Sequence, residues 1–177
     1  MPMLIREIFD EMAAAFRRRN SRHMRKLNDR IMIETAVEFS KEMYELSVLS
    51  YVLGKILSKP RFFSPKYKQN MNAIQNTLEL ARKAKDPLSL LPTLEREVGR
   101  LESEDPRFVI DLFTKGRLKM AAIFYAQGFS LGRASEITGV PKSEILSYAG
   151  KTMMFEKVKT EVSVEKRLHF AREALGG

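Results

Sequence analysis

The stretch SLGRASEITGVPKSEIL, residues 130–146, decides the predicted fold of the C-terminal part of the chain. Ser130 is a favourable N-cap residue, because its hydroxyl can accept a hydrogen bond from a backbone N–H of the first helical turn. Gly139 can adopt the positive φ that ends one helix and opens a tight turn. The next helix then begins at Pro141 or Ser143. The stretch therefore predicts two short helices joined by a tight turn.

A third helix precedes this pair and completes a small core. Ala122, Phe124 and Tyr125 lie on a helical segment that Gly128 is expected to end. This order is the layout of a helix-turn-helix. The residues that we expect to form its core are Leu131, Ala134, Ile137, Gly139, Val140, Ile145 and Tyr148.

The pattern resembles helix-turn-helix proteins and, more closely, the small prokaryotic antitoxins that pair with PIN-domain toxin nucleases. The similarity spans about residues 121–148 and rests on Tyr125, Gly128, Ser130, Leu131, Gly132, Ala134, Glu136, Gly139, Val140, Glu144 and Ile145. The chain as a whole looks more like an archaeal helical protein. The resemblance implies a tri-helical fold, and either DNA or a partner nuclease as the molecule bound.

The exposed side of the second short helix would meet DNA if the module binds a duplex. We expect Lys142, Ser143, Ser147 and Lys151 to approach the major groove, and Arg133 to contact a phosphate. This helix carries no Arg, Asn or Gln, the residue types that read base edges best. A module that packs against its own body or a partner protein therefore remains an open alternative.

The rest of the sequence has helical periodicity, and no alternating segment of strand length stands out. We predict an all-α fold with a helical bundle over residues 1–105, the helix-turn-helix module over 106–152, and a tail with an amphipathic helix over 153–177. The predicted helices cover residues 3–16, 28–58, 68–85, 88–101 and 106–127, with 163–175 in the tail. The apolar segment LSVLSYVLGKIL, residues 46–57, is expected at the centre of the bundle.

Composition narrows the functional classes. The chain of 177 residues has no Cys, which excludes disulfides, thiolate chemistry and Cys-ligated zinc and favours a cytoplasmic setting. No apolar segment is long enough to suggest a membrane span. The net charge of +9 favours nucleic acid or another polyanion as the partner.

The segment FRRRNSRHMRK, residues 16–26, is the first basic patch. On a helix, Arg18, Arg22 and Arg25 would share a face flanked by Arg19 and Lys26, and such a face could neutralise several phosphates. The residues that we expect to contact phosphate are Arg17, Arg18, Arg22, Arg25 and Lys26. The alternative is ion pairing with an acidic stripe formed by Glu34, Glu38, Glu42 and Glu45. Without a Glu-x-x-His motif, we expect this stripe to be a solvated face that binds no metal. We predict no cofactor.

The segment KPRFFSPKYK, residues 59–68, is the second basic patch. Its cations Arg61, Lys66 and Lys68 alternate with the rings of Phe62, Phe63 and Tyr67. Aromatic rings among cations can stack on unpaired bases. We favour the other interpretation, in which the rings fold back and close the end of the bundle.

The sequence offers little for catalysis. It contains no phosphate-binding loop, dinucleotide fingerprint or zinc-protease motif. Arg17 or Arg18 with His23 resembles the Arg–His spacing of HEPN ribonucleases, which implies an Arg that holds the scissile phosphate and a His that acts as general acid or base. We predict a non-enzymatic nucleic-acid-binding protein, a DNA-binding transcriptional regulator that forms a homodimer because such modules usually bind two half-sites. The alternatives are an antitoxin-type protein that binds a partner nuclease and a HEPN-like ribonuclease.

Overall fold

The computed structural model describes residues 4–105 and 111–154, and every regular element within these ranges is helical. The described α-helices are α1 (Ile5–Arg17), α2 (Ser21–Val37), α3 (Lys41–Leu57), α4 (Lys68–Lys83), α5 (Leu91–Ser103), α6 (Leu112–Ala126), α7 (Leu131–Thr138) and α8 (Lys142–Lys151). Short 3-10 turns cover Pro60–Phe63, Pro65–Tyr67 and Pro87–Leu90. The predicted all-α class is confirmed for these residues, whereas the predicted helix over 163–175 lies outside them.

The chain divides into two compact units, Met1–Met120 and Ala121–Gly177, with the boundary inside α6. The divisions predicted at residues 105 and 152 stay predictions. Among the described helices, none has the length and apolar character needed to cross a membrane.

One long helix over residues 28–58 was predicted, and this prediction is wrong. The chain forms two helices instead, because α2 ends at Val37 and Glu38 has an extended backbone with ψ of 98°. Ser40 then caps α3 by accepting a hydrogen bond from the backbone N–H of Met43 at 3.1 Å. A side-chain cap satisfies a backbone donor that a helix start would otherwise leave unpaired. Continuous helical periodicity hid this break.

A second break falls inside the first basic patch. Helix α1 ends at Arg17, and the backbone of Arg19 is left-handed, with φ of 52°. The N–H groups of Arg19 and Asn20 donate to the carbonyls of Phe16 and Ala15, which is the Schellman pattern of a helix end. Asn20 then caps α2 by accepting from the N–H of His23 at 2.9 Å. Helix α2 therefore begins at Ser21 rather than at residue 28.

The core of the first unit is built around α3, as predicted from its apolar sequence. Its fully buried side chains include Leu46, Leu49, Leu53 and Ile56. Helix α2 packs along α3 in antiparallel fashion, so that Asn28 donates hydrogen bonds to the Ser47 carbonyl at 2.7 Å and the Ser50 hydroxyl at 2.9 Å. These bonds satisfy the buried amide N–H₂ group, whose burial without partners would be costly.

Proline and glycine take defined positions in the later helices. Pro92 lies in the first turn of α5, where its missing N–H costs nothing, and not at the kink predicted inside a longer helix over residues 88–101. Asp111 accepts hydrogen bonds from the N–H and the hydroxyl of Thr114 at the start of α6. The predicted start at Pro106 lies outside the described residues. Gly116 lets α6 approach α3, since a Cβ there would lie 3.2 Å from Val48 Cγ1.

Candidate nucleic-acid interface

The second unit contains the helices predicted from residues 130–146. Gly128 has φ of 107° and ends α6 in a Schellman pattern, with N–H groups of Gly128 and Phe129 donating to Tyr125 and Phe124. Ser130 caps α7 by accepting from the N–H of Arg133 at 3.1 Å. Gly139 has φ of 71° and ends α7. Helix α8 begins three residues later, so the local features predicted for both turns are present.

Small residues and one β-branched polar residue form much of the buried side of this unit. Ala122 and Ala126 of α6 pack with Ala149 of α8 and with Met154. Among the predicted core residues, Ala134, Val140 and Ile145 are buried, while Leu131, Ile137 and Tyr148 are half-buried and Gly139 is exposed. Burial raises the pKa of the Tyr148 hydroxyl above its ordinary value. Thr138 was not among the predicted core residues, but it is buried, and its hydroxyl donates to the Ala134 carbonyl at 2.6 Å.

The predicted base-reading residues all lie at the surface of α8. Lys142, Ser143, Ser147 and Lys151 are exposed. Leu146 lies between them in sequence and is 51% exposed. Glu144 is exposed on the same helix, so the exposed side of α8 presents two cations at its ends, one carboxylate, and small or apolar groups.

Charge on the described part of the second unit is nearly balanced. Its cations are Arg133, Lys142 and Lys151, and its acids are Glu136 and Glu144. Arg133 forms an ion pair with Glu136 at 3.0 Å, but both side chains are largely exposed, so the pair is weak and leaves Arg133 able to contact a phosphate. The excess positive charge of the protein therefore lies mainly elsewhere.

The first basic patch does not lie on one helix face. The helix break at residues 18–20 separates Arg17 and Arg18 from Arg22, Arg25 and Lys26, so the predicted common face of Arg18, Arg22 and Arg25 on one helix is wrong. The last three residues are exposed on α2. Within the described residues, Arg18, Arg22, Arg25 and Lys26 form no ion pair. Four of the predicted phosphate-contacting residues are thus available to an anion.

The ion pairs of this region involve Glu79 and Glu11, which lie outside the predicted acidic stripe. Arg17 pairs with Glu79 of α4, and hydrogen bonds from Arg17 and then Arg82 hold the pKa of Glu79 below its ordinary value, against the opposing effect of burial. His23 Nε2 lies 3.3 Å from Glu11 Oε2. Arg17 and His23 therefore belong to different helices and face different carboxylates, whereas Arg18, the other candidate arginine, directly follows α1. The ribonuclease interpretation stays an alternative.

The acidic stripe is divided between α2 and α3. Glu34 lies on α2, Glu38 in the connection, and Glu42 and Glu45 on α3. Glu45 lies 3.7 Å from Arg117. No group of three or more potential metal-ligating side chains is present in residues 4–105 and 111–154.

The rings of the second basic patch mainly fold inward. Phe62 and Tyr67 are buried against each other, with ring centroids 5.3 Å apart in an edge-to-face arrangement. Arg61 forms a salt bridge of 2.6 Å with the buried Asp105. The preferred interpretation, in which the rings close the bundle, is confirmed for Phe62 and Tyr67. Phe63 is only half-buried.

The two basic patches meet around one cavity of about 420 Å³, here named the aromatic–cationic cavity. Its wall includes Arg17 and Arg19 from the first patch, Phe63 and Lys68 from the second, and Asn72 of α4. The Arg19 guanidinium carbon lies 4.7 Å from the centroid of the Phe63 ring. No acidic side chain lines this cavity.

The sequence does indicate that acidic side chains are absent around both basic patches. Residues 12–28 and 46–78 are the two segments around the patches, and both lack Asp and Glu entirely. Arg19 was noted in the patch, but it was not among the residues selected as phosphate contacts. Which cations would share a cavity could not be inferred, because it depends on the packing of α1 against α4.

A second cavity, of about 340 Å³, lies beside α2 and α3. Arg25, Lys55 and Lys119 surround it together with Asp29 and the ring of Tyr51. Lys119 Nζ lies 4.6 Å and Lys55 Nζ 5.5 Å from the Tyr51 centroid. Burial raises the pKa of Asp29, and Lys119 partly offsets this effect. The first unit thus carries two recesses rich in cations.

Comparison with known proteins gives no match among family models, curated proteins or solved structures.

Proposed function

We propose that the protein binds nucleic acid, with α6, α7 and α8 as a helix-turn-helix module and the basic side chains of the first unit as additional phosphate contacts. The observation that carries this proposal is the α7–α8 connection. Gly139 is left-handed at the end of α7, Ser130 caps the start of α7, and α8 exposes Lys142, Ser143, Ser147 and Lys151. A helix exposed in this way after a tight turn has the form needed to enter a major groove.

Charge supplies affinity, while the sparse polar groups of α8 limit sequence discrimination. Lysine contacts to phosphate release counterions, whereas Ser143 and Ser147 offer only hydroxyl groups to base edges. The proposed role is that of a DNA-binding transcriptional regulator that acts as a homodimer. Arg133, Arg17, Arg18, Arg22, Arg25 and Lys26 are the proposed backbone contacts.

The test is binding to a random-sequence duplex over a salt series by fluorescence anisotropy. We expect Lys142→Glu and Lys151→Glu to weaken binding, with each lost phosphate contact reducing the salt slope by about 1. Arg18→Glu/Arg22→Glu tests the first unit in the same assay. The matched control is Lys83→Glu/Lys85→Glu, which makes the same charge change at exposed residues near the end of α4. If Lys83→Glu/Lys85→Glu lost as much duplex affinity as the interface variants, the loss would reflect net charge alone, and the assigned interface would be refuted.

The exposed Leu146 supports a second candidate, in which α8 binds a partner protein of the antitoxin–nuclease type. An apolar side chain in the middle of the exposed helix face suits a protein surface better than a phosphate backbone. Leu146→Lys separates the two candidates. It adds a cation and raises duplex affinity if α8 meets DNA. If α8 instead binds a protein, duplex binding by the wild type should depend little on Lys142 or Lys151. Leu146→Lys should then change duplex affinity only as much as the control Leu80→Lys, which adds a lysine at a position that is 62% exposed on α4.

A further inference from the structure

We propose that the aromatic–cationic cavity is a binding site for an unpaired nucleotide, with its base stacked on the Arg19–Phe63 pair and its phosphate held by Arg17 and Lys68. This inference concerns the first unit and is independent of duplex binding by α8. A cavity of about 420 Å³ falls in the range of small-ligand pockets and is large enough for one nucleotide.

The stacking surface is formed by two side chains from different patches. The guanidinium of Arg19 lies over the Phe63 ring at 4.7 Å from its centroid. Bases stack on aromatic rings and also on the planar guanidinium of arginine. Arg19 has no ion-pair partner among the described residues, so the Phe63 contact is what positions it.

The phosphate contacts are positioned by neighbouring groups. Glu79 engages one terminal nitrogen of Arg17, which fixes the side chain while the guanidinium retains other N–H donors. Lys68 is exposed at the start of α4 and adds a third positive charge to the cavity wall, after Arg17 and Arg19. No carboxylate lines the cavity itself, and the adjacent Glu79 is paired with Arg17 and Arg82, so the cations of the wall predominate for an entering anion.

The backbone at Arg19 gives independent support. Arg19 occupies the left-handed position of the Schellman turn after α1, where glycine is the usual residue because an L-residue with a side chain is strained there. The same turn after α6 uses Gly128. An arginine in this conformation costs stability relative to glycine, and strained residues of this kind cluster at binding sites.

Because of this strain, one substitution should lower ligand affinity without lowering thermal stability. Arg19→Gly relieves the left-handed strain, so its thermal unfolding midpoint should equal or exceed that of the wild type. Its affinity for a fluorescein-labelled 12-nucleotide dT oligomer should fall by about tenfold. Lys85→Ala, which removes one exposed cation outside the cavity, is the charge control and should change affinity less than about twofold.

Three further measurements separate stacking from charge. Phe63→Tyr should retain binding and Phe63→Leu should lose it about tenfold, because leucine keeps apolar volume without a π face. An abasic oligomer of 12 nucleotides, which has no bases to stack, should bind about as weakly to the wild type as the dT oligomer binds to Phe63→Leu. Competition by a mononucleotide identifies a free nucleotide as the source of the ligand, and competition by the oligomer alone identifies a single strand.

The outcomes distinguish this site from the duplex interface. Lys142→Glu should leave oligomer binding unchanged, and Phe63→Leu should leave duplex binding unchanged. The inference is overturned if the abasic oligomer binds as well as dT, if Phe63→Leu binds like the wild type, or if Arg19→Gly and Lys85→Ala have equal effects.

Discussion

The turn between α7 and α8 can be tested with two glycines that predict opposite effects on stability. A Cβ added at Gly139 or at Gly150 would meet no atom within 4 Å, so alanine fits sterically at both positions. Gly139 has φ of 71°, whereas Gly150 lies inside α8. Any difference between the two substitutions therefore comes from backbone conformation alone.

The magnitudes follow from that conformation. Gly139→Ala forces an L-residue into the left-handed region and should destabilise the second unit by about 1–2 kcal/mol. Gly150→Ala restricts the unfolded chain and favours the helix, with a gain of about 0.5–1 kcal/mol. Gly139→Asn should fall between wild type and Gly139→Ala, since asparagine tolerates the left-handed region better than alanine does.

Hydrogen exchange is the suitable assay, because the chain has no Trp and the second unit need not unfold together with the first. Protection of α7 and α8 amides should fall about tenfold in Gly139→Ala, given that 1.4 kcal/mol corresponds to a factor of ten. It should rise in Gly150→Ala. Equal protection in Gly139→Ala and wild type would refute the left-handed turn, and with it the geometry on which the proposed helix-turn-helix depends.

Two further predictions concern the first unit. Ser40→Ala should lower its free energy of unfolding by about 1 kcal/mol in urea denaturation followed by circular dichroism, while Ser40→Thr should retain most of it; an unchanged Ser40→Ala variant would show that the α2–α3 break does not depend on the cap. Glu102→Gln tests a buried carboxylate, which accepts a hydrogen bond from the N–H of Leu112 at 2.6 Å. Burial and the nearby Asp111 raise the pKa of Glu102. That hydrogen bond, Lys115 and Lys59 lower it, but the net shift is upward. Because the folded-state pKa exceeds the unfolded value, the stabilisation from protonated Glu102 is complete below about pH 4.5 and is lost as pH rises through the folded pKa. The stability of Glu102→Gln relative to wild type, measured by urea unfolding from pH 4 to 7, should therefore increase with pH, and a constant difference would contradict the shift.

Local signals in the sequence were reliable where one residue type has one dominant role. Ser130 and Gly139 each occupy the predicted position at an end of α7 because capping and left-handed geometry depend on the residue and its immediate neighbours. The burial of most of residues 46–57 followed from their apolar composition. The all-α class followed from the helical period of the same kinds of segment.

The errors arose where a break does not interrupt the periodicity. Ser40 is a common cap residue, but the apolar positions on both sides of it continue at helical spacing, so one helix was predicted in place of two. The helix end at Arg19 could not be predicted from the residue type, since arginine is a good helix former and rarely takes a left-handed backbone. The helix break at Arg19 separates the cations that were predicted to share one face within residues 16–26.

The same conflict between residue type and conformation explains why the aromatic–cationic cavity could not be predicted. A sequence that specifies one structure usually satisfies local preference and tertiary packing together, and exceptions are expected at functional or strained sites. Within the described residues, four positions have a left-handed backbone, and glycine occupies two of them, Gly128 and Gly139. Met153 and Arg19 occupy the others, and Arg19 lines the aromatic–cationic cavity with other cations and an aromatic ring. Glycine at position 19 would suit the turn better and would remove the guanidinium from Phe63. The proposed nucleotide site accounts for an arginine at this position, because there the side chain rather than the turn would contact the ligand.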